Sequence, residues 1–304
     1  MKIVRFVFEG GEGARIGITT EEAKQPEAVI DFSAAYQTYR LVEDGCQEPL
    51  CTSLLPLLDQ GLFTCENFGR ILRFVEKHGL VERFCVERPR LLAPIERPPK
   101  IMALGRNYLA HARESGHEAP SEPIVFEKAN SSVIGPGEPV VIKPWLGRVD
   151  HEVELAVVIG RRGSEIEENE ALGYVAGYTI VNDVSARDMQ AKDLADSNPW
   201  WRSKSIDTFC PMGPCIALAE SIGEPIELDL ELRVNGEVRQ KSNTRDLVFK
   251  VPALIAHISR FVTLEPGDII STGTPSGISA IKPGDVMEAM VEKVGILENP
   301  VVAG

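Results

Sequence analysis

The sequence contains no hydrophobic run long enough to cross a membrane. Hydrophobic residues make up 43% of the 304 residues. The longest uncharged stretches, such as residues 171–182, have only about a dozen residues, whereas a spanning helix needs about 20. The opening MKIVRFVFEGGEGARIG also lacks the extended apolar region of a secretory signal. We therefore expect a cytoplasmic protein with no membrane-spanning segment.

Closely spaced cysteine pairs and an excess of basic residues are missing as well. None of the six cysteines forms a CxxC pair, and a chain of this size needs no disulfides, so we expect reduced thiols. Acidic residues outnumber basic residues by 45 to 32, which gives a net charge of −13. Because this charge repels phosphate backbones, nucleic acids are not expected as partners. A small anionic substrate is still compatible with it, because a local metal ion or basic cluster overrides the average field.

The composition indicates a globular protein in two parts. Residues 1–97 contain 12 basic and 15 acidic residues, leaving 20 and 30 for the rest, and a proline-rich segment at 92–100 separates the parts. The first part opens with the strand-like MKIVRFVF, and its apolar spacing predicts a helix over 65–77. We predict a small α+β N-terminal domain over residues 1–97 and a second domain over 98–304.

Short strands and tight turns dominate the second part. Apolar and charged residues alternate over 226–234, and Asn235-Gly236 then supplies a two-residue hairpin turn. The pattern over 251–262 predicts a helix, whereas Pro-Gly-Asp turns at 266–268 and 283–285 each lead into another strand. Many short strands with few long helices predict a mixed β-rich fold.

Three acidic residues are candidates for chemistry. Glu152 and Glu154 open a strand, where residues two apart share a face, and Asp183 stands at the end of another strand. Taken alone, the glutamates are more typical of a solvated edge strand, and the aspartate of a turn or cap. Together the three offer hard oxygen donors without histidine or cysteine, which suits Mg²⁺, Mn²⁺ or Ca²⁺ rather than zinc or copper.

A histidine and a glutamate could form a catalytic pair. His111 and Glu114 lie three residues apart, so on a helix they can hydrogen-bond. A carboxylate beside an imidazole orients the ring, as a general base requires. Taken alone, the same spacing is more typical of a pair on a solvated helix surface, and it leaves both interpretations open.

A second short helix and a glycine-rich loop add further candidates. Ser185 is expected to begin the helix, with Asp188 at its capping-box position. Arg187 and Gln190 would then share a face, either towards a site or on plain surface. The loop at 271–277 offers hydroxyls and backbone amides that could hold a carboxylate, and it lacks the lysine of a P-loop.

Taken in order, five segments resemble the fumarylacetoacetate hydrolase family: GRNYLAH, DHEVELAVVIG, GYTIVNDVSARDMQ, KSIDTFCPMGP and GDIISTGTPSG. The resemblance runs from about residue 101 to the C-terminal end, roughly two thirds of the chain. It implies a β-sandwich roll of antiparallel sheets behind a small N-terminal domain, usually in a homodimer. It also implies a divalent metal, commonly Mg²⁺ or Mn²⁺, and a small 2-oxo acid as substrate.

The resemblance also assigns roles to individual positions. It implies that the metal ligands are Glu152, Glu154 and Asp183. It implies that the catalytic residues are Lys204 and a dyad on a lid helix, His111 and Glu114. The substrate contacts that it implies are Arg106, Arg187, Gln190 and Thr274. Trp200 and Trp201 would either line the pocket or pack as an ordinary loop pair.

The resemblance implies that one site can catalyse several reactions, all of which pass through a metal-bound enolate. We expect a hydrolase that cleaves a C–C bond of a 2,4-dioxo acid such as an acylpyruvate, fumarylpyruvate or fumarylacetoacetate, with His111 activating water. The alternatives within the family are an oxaloacetate decarboxylase and a 2-hydroxyhepta-2,4-diene-1,7-dioate isomerase. A non-catalytic binding module with the same fold is the alternative of a different class. The fold alone does not choose among them.

Overall fold

The computed structural model describes residues 1–8, 13–19, 26–114, 116 and 118–304. Across these ranges the helices are α1 (Phe32–Glu43), α2 (Leu55–Asp59), α3 (Cys65–Lys77), α4 (Val81–Phe84), α5 (Leu109–Glu114), α6 (Arg187–Ala195), α7 (Trp201–Lys204), α8 (Ala219–Ile222) and α9 (Val251–Ser259). Short 3₁₀ turns lie at Asn130–Ser132, Pro144–Leu146, Glu168–Tyr174 and Thr244–Asp246. None of the helices in the described ranges is long and apolar enough to cross a membrane.

The strands are β1 (Lys2–Val7), β2 (Arg15–Thr19), β3 (Ala28–Asp31), β4 (Cys85–Glu87), β5 (Arg90–Leu92), β6 (Ile101–Gly105), β7 (Ile124–Glu127), β8 (Val133–Ile134), β9 (Val140–Ile142), β10 (Val149–Asp150), β11 (Val153–Ile159), β12 (Val175–Asn182), β13 (Ser185–Ala186), β14 (Cys210–Leu218), β15 (Asp229–Val234), β16 (Glu237–Asn243), β17 (Ile269–Ser271), β18 (Val286–Val291) and β19 (Gly295–Ala303).

Most of the strands join in one large mixed sheet. Its order is β4-β3-β2-β1-β14-β12-β11-β17-β6-β7, with β5 paired to β1 and β8 to β14. Strand β1 pairs antiparallel with β14, with Lys2 opposite Ala217 and Ile3 opposite Ile216. The backbone hydrogen bonds of this sheet therefore run across the predicted boundary between residues 97 and 98, and the division into two domains stays a prediction.

A second sheet packs against the large one and closes a sandwich. Its order is β16-β15-β18-β19-β9. Inward side chains of β11 and β12 share one buried cluster with side chains of β15, β18 and β19, including Leu155, Ile180, Leu230, Ala289 and Leu297. Burial of these apolar side chains holds the two sheets together. The mixed β-rich fold predicted from the sequence is confirmed.

A second apolar cluster lies on the other face of the large sheet, under α1 and α3. Phe68, Ile71, Phe74 and Val75 of α3 are buried there, and the Phe68 ring centroid lies 4.7 Å from that of Phe32. The helix begins where Thr64 accepts a hydrogen bond from the Asn67 amide, an N-cap. Its bounds match the helix predicted over 65–77.

Other local predictions need correction. The helix predicted over 251–262 ends at Ser259, and the strand predicted over 226–234 begins at Asp229. The hairpin turn at Asn235-Gly236 is confirmed, since β15 and β16 pair across it and both residues have positive φ.

The predicted capping box is wrong. Ser185 lies in β13, paired with β10, and helix α6 begins at Arg187 without a side-chain cap. The Asp188 carboxylate instead accepts a hydrogen bond from the Arg148 amide, 2.9 Å away. A strand pairing that is remote in the sequence has therefore displaced the local cap, because β10 occupies the backbone groups of Ser185.

Gly177 offers a test of the packing that positions β12. A Cβ at this position would lie 2.3 Å from the Ala217 carbonyl oxygen and 2.6 Å from Cγ2 of Ile216, both on β14. We expect Gly177→Ala to force these strands apart and destabilise the protein by about 1–3 kcal/mol, measured by urea unfolding. Gly173→Ala is the matched control, because a Cβ there meets no atom within 4 Å among the described residues. Equal stability of the two variants would contradict this account.

Candidate active site and metal centre

Three carboxylates converge at the end of strands β11 and β12. One oxygen each of Glu152, Glu154 and Asp183 lies within 4.8 Å of the others, and the side chains are only 3%, 1% and 1% exposed. The strand register produces this arrangement, because Val153 pairs with Asn182 and the Asp183 amide donates to the Glu152 carbonyl at 2.8 Å. The burial excludes the solvated-edge interpretation of the two glutamates.

The donor set fits a hard divalent cation. Hydrogen bonds orient the Glu154 carboxylate through its Oε2 atom, which accepts from Ser271 Oγ at 2.6 Å and from the Gly273 amide at 2.8 Å. Three carboxylates without histidine or cysteine suit Mg²⁺, Mn²⁺ or Ca²⁺. Within the described part of the chain this is the one such group of potential ligands.

Buried cations surround the carboxylates. Lys204 Nζ donates to Glu152 at 2.8 Å and to Asp183 at 2.6 Å. Lys128 Nζ donates to the other Asp183 oxygen at 2.6 Å and also to the Lys204 carbonyl. Arg187 pairs with the second oxygen of Glu152. Charge-assisted hydrogen bonds therefore compensate part of the repulsion among the acids.

These contacts move the ionisation of the two glutamates in opposite directions. Burial alone would raise the pKa of Glu152, but Lys204 and Arg187 outweigh it and hold that pKa well below its usual range. Burial and the charge of Asp183 raise the pKa of Glu154 to about 8. Burial would lower the pKa of Lys204, but Asp183 and Glu152 outweigh it and raise that pKa. Neighbouring cations thus balance two of the three acids, Glu152 and Asp183.

Asp150 anchors the arginine side of the site. Its two oxygens accept hydrogen bonds from Arg148 Nε at 2.7 Å and Arg187 Nε at 2.9 Å, and the carboxylate is fully buried. Arg187 also donates to Gln190 at 2.6 Å, one turn further along α6. The predicted shared face of Arg187 and Gln190 therefore points towards the carboxylates.

The histidine and glutamate of α5 stand close together across the site. His111 Nδ1 lies 3.5 Å from Glu114 Oε2, and the Glu114 carboxylate accepts the Gly277 amide at 3.1 and 3.2 Å. This contact ties α5 to the glycine-rich loop. Thr274 of that loop donates its hydroxyl to the Val153 carbonyl at 2.9 Å and accepts from Gln240 at 2.8 Å.

A cavity of about 450 Å³ opens onto this centre. Eight of the ten predicted site residues line its wall: Arg106, His111, Glu114, Glu152, Arg187, Gln190, Lys204 and Thr274. Glu154 and Asp183 are not among the lining residues and complete the carboxylate group. Trp200 lines the wall, whereas Trp201 is 55% exposed and does not.

Sequence reasoning missed Lys128 and Asp150, and it named the hydroxyls of the loop at 271–277 without linking Ser271 to Glu154. Lys128 follows β7 and meets Asp183 only through the tertiary fold, 55 positions away in the chain. Ser271 ends β17, which pairs with β11 and so brings its hydroxyl to Glu154. Asp150 lies two positions before Glu152 in the segment DHEVELAVVIG, and this proximity was the one available signal for its role.

Comparison with known proteins places this site in a family. The model of the fumarylacetoacetate (FAA) hydrolase C-terminal domain matches residues 100–302. The chain belongs to the fumarylacetoacetate hydrolase family. The resemblance inferred from the five sequence segments is thereby confirmed.

Several named relatives cover nearly all of the chain. A mitochondrial oxaloacetate tautomerase of Bos taurus is 45% identical over 309 residues, covering 99% of this chain and 92% of the relative. The structure of fumarylacetoacetate hydrolase from Exiguobacterium antarcticum has a TM-score of 0.79 at 32% identity, with both chains fully covered. Maleylpyruvate hydrolase from Sphingobium sp. SYK-6, in complex with manganese(II) and pyruvate, has a TM-score of 0.76 at 32% identity, again over both whole chains.

We expect Mn²⁺ binding to release a proton from Glu154. Without a bound cation the pKa of this carboxyl is about 8, so it is mostly protonated at neutral pH and must ionise to become a ligand. The apparent Mn²⁺ affinity should rise by up to about tenfold per pH unit as the pH increases towards about 8, and level off above it. Calorimetric titrations in buffers of different ionisation enthalpy count the proton released. An affinity that stays constant between about pH 6 and pH 8 would contradict this linkage.

Proposed function

We propose that the protein is a divalent-metal-dependent enzyme that interconverts the keto and enol forms of oxaloacetate or a closely related 2-oxo acid. The observation that carries the proposal is the buried group of Glu152, Glu154 and Asp183, of which Glu152 lines the cavity. These three carboxylates would hold Mg²⁺ or Mn²⁺, which such an acid could chelate through its carboxylate and keto oxygens, and the cation would supply Lewis-acid stabilisation of the enolate. The complex of a similar hydrolase with manganese(II) and pyruvate supports this assignment.

The surrounding residues have distinct tasks in this proposal. Glu152, Glu154 and Asp183 hold the cation, while Lys204 and Arg187 keep Glu152 ionised and aligned. Gln190 and Thr274 border the place where the acid binds. Tautomerisation moves a proton between the α-carbon of the acid and its keto oxygen. A residue at the cavity wall must therefore accept the proton from one of these atoms and donate a proton to the other. We assign this task to His111, which Glu114 orients.

The choice of reaction rests on the extent of similarity. The oxaloacetate tautomerase is 45% identical across nearly the whole chain, whereas the hydrolases of known structure are about 32% identical. Sequence reasoning considered hydrolysis, decarboxylation and diene-dioate isomerisation, and it did not consider tautomerisation. All four reactions need the same stabilised enolate, so the same centre serves each of them.

C–C hydrolysis of a 2,4-dioxo acid is the second candidate. The observation in its favour is the His111–Glu114 pair at 3.5 Å on the cavity wall, because hydrolysis needs a base that activates water. A fumarylpyruvate hydrolase of Pseudomonas aeruginosa, in complex with Mn²⁺ and pyruvate, matches 68% of this chain with a TM-score of 0.66 and 32% identity. The homodimer, the cytoplasmic location and the domain division at residue 97 stay proposals.

Removal of one metal-binding carboxylate tests the centre. We expect Glu152→Gln to abolish tautomerisation, because the two remaining acids bind the cation weakly and Lys204 loses one of its two carboxylate partners. Glu231→Gln is the matched control, since Glu231 is also buried and ion-paired but lies on β15, outside the cavity wall. The measurement is the decay of enol-oxaloacetate absorbance with and without added Mn²⁺. Full turnover by Glu152→Gln would make the metal assignment wrong.

Replacement of the histidine tests the proton transfer. We expect His111→Ala to lower kcat for tautomerisation by about 10²–10⁴-fold, the usual value of general-base assistance, with little change in KM. Glu114→Gln should cause a smaller loss, because it weakens only the orientation of the ring. Acetylpyruvate and fumarylpyruvate, assayed with the same enzymes, measure hydrolysis. Efficient hydrolysis without acceleration of tautomerisation would favour the second candidate and overturn the first.

A further inference from the structure

The side chain of Gln240 is the centre of a buried hydrogen-bond network. Gln240 lies on β16 and is only 1% exposed. Its Nε2 donates to Thr274 Oγ1 and to the Pro275 carbonyl, both at 2.8 Å. Its Oε1 accepts from the Val153 amide at 3.1 Å and faces His151 Nδ1 at 3.0 Å. All four hydrogen-bonding positions of this amide group are therefore occupied.

Backbone groups fix the direction of the hydrogen bonds in this network. The Val153 amide can only donate and the Pro275 carbonyl can only accept, so the Gln240 amide has one possible orientation. His151 Nδ1 must then donate to Oε1. Thr274 donates its own hydroxyl to the Val153 carbonyl at 2.9 Å and therefore accepts from Gln240. A buried network with every donor and acceptor matched specifies a single conformation.

The first half of the glycine-rich loop, residues 271–273, is held without Gln240. It begins within β17, which pairs with β11. The Thr272 amide donates to the Leu155 carbonyl at 3.0 Å, and the Thr272 hydroxyl donates to the same carbonyl at 2.9 Å. This half orients the candidate metal ligand Glu154. The sheet itself therefore supports the carboxylate side of the loop.

The second half of the loop, residues 274–279, is held at both ends by the network. Gln240 donates to its first two residues. At its other end, Ser279 Oγ lies 2.9 Å from Nε2 of His151. Because His151 is itself bound to Gln240, one amide group supports both ends of this half.

Gly277 lies between these ends and contacts both β16 and helix α5. A Cβ at Gly277 would lie 2.1 Å from the Arg239 carbonyl oxygen, and the residue has a φ of 98°, so the close approach to β16 requires glycine. The Gly277 amide donates to the Glu114 carboxylate at 3.1 and 3.2 Å, and Glu114 Oε2 lies 3.5 Å from His111 Nδ1. A continuous series of contacts therefore runs from Gln240 through the loop to His111.

The two atoms at the end of the Gln240 side chain have different partners. Oε1 serves the edge of the large sheet, because it binds the Val153 amide beyond the pairing of β11 with β17, which covers Ala156–Val158. Nε2 serves the loop, because both of its hydrogen bonds go to residues of the second half. Support of the sheet and support of the loop are thus separate tasks of one side chain.

We propose that Gln240 is a positioning residue that holds the second half of the loop, so that the Gly277 amide orients Glu114 and, through it, His111. The inference rests on the proposed function, in which His111 transfers the proton. Gln240 is not part of the cavity wall, so it acts on the reaction only through the loop. Misplacement of a catalytic group by about 1 Å can cost about 100-fold in rate, so such support matters for turnover.

Gln240→Glu separates the two tasks. The new carboxylate keeps an oxygen for the Val153 amide and His151, but it presents an oxygen instead of an N–H to the loop. Ser279→Ala is a second, milder variant, because it removes only the contact of His151 with the end of the loop. It keeps the inference testable where Gln240→Glu folds poorly.

Asn299→Asp is the matched control for Gln240→Glu. Asn299 is also 1% exposed, and its Nδ2 donates to the Gly135 and Glu138 carbonyls at 2.8 and 2.9 Å. It joins β19 to another loop and lies outside the cavity wall. We expect Asn299→Asp to lower stability as Gln240→Glu does, while kcat stays within about twofold of the wild type.

We expect Gln240→Glu to lower kcat by roughly 10- to 100-fold and Ser279→Ala by roughly 2- to 10-fold, because His111 loses its fixed position. In the His111→Ala background Gln240→Glu should cost less than about twofold, since its effect passes through His111. The Mn²⁺ affinity, measured by calorimetry, should change by less than about twofold, because the first half of the loop still holds Glu154. Equal fold losses of kcat with and without His111 would overturn the inference.

The Gly277 amide resonance reports on the loop without turnover. In protein labelled with ¹⁵N-glycine and free of metal, we expect this resonance to shift in Gln240→Glu, Ser279→Ala and Glu114→Gln, and to stay in place in Asn299→Asp. An unchanged resonance in Gln240→Glu would contradict the role of Gln240 and leave the proposed function standing. A wild-type protein that accelerates neither tautomerisation nor C–C hydrolysis with Mn²⁺ would contradict the proposed function, and the inference would fall with it.

Discussion

The burial of three carboxylates side by side is the constraint on which the rest of the site depends. Removing one charged carboxylate from water costs several kcal/mol, and its like-charged neighbours add repulsion. The positive charges of Lys204, Lys128 and Arg187 offset part of this cost. The pKa of Glu152 is lowered as a result, whereas the pKa of Glu154 rises to about 8. A divalent cation completes the balance by letting all three acids ionise together. The charge balance itself therefore creates the affinity for metal.

The fold supplies the opposing charges from distant parts of the chain. The acids come from the paired ends of β11 and β12, whereas Lys128 follows β7, Arg187 opens α6 and Lys204 ends α7. Each cation therefore reaches the centre only through the tertiary fold. The hydroxyl and amide that hold Glu154 come from the end of β17 and the loop after it. The β-sandwich thus positions the acidic and the basic side chains of the site next to one another.

Features set by short spacing could be predicted from the sequence. The shared face of Glu152 and Glu154, the proximity of His111 to Glu114, and the helix at 65–77 follow from strand and helix periods. Features set by tertiary contact could not. Lys128 carries no spacing signal towards Asp183, and the capping box at Ser185 failed because β10 pairs with that residue. The family resemblance linked the five segments, since their joint order holds information that no single pattern contains.

The cavity wall combines charged and uncharged side chains, which accounts, under the proposed function, for how one centre can serve several reactions. At the carboxylate centre Lys204 pairs with Glu152 and Asp183, and Lys128 pairs with Asp183, so replacing one of these residues leaves another buried and less compensated, at a cost of about 3–5 kcal/mol. Leu104, Phe126, Leu194, Trp200 and Ile278 also line the cavity, and these uncharged side chains carry no such restriction. Under the proposed function, variation among them would change which acid fits without disturbing the charge balance. Enolate formation would then depend on the charged centre, while the identity of the substrate, and with it the fate of the enolate, would depend on the uncharged part of the wall.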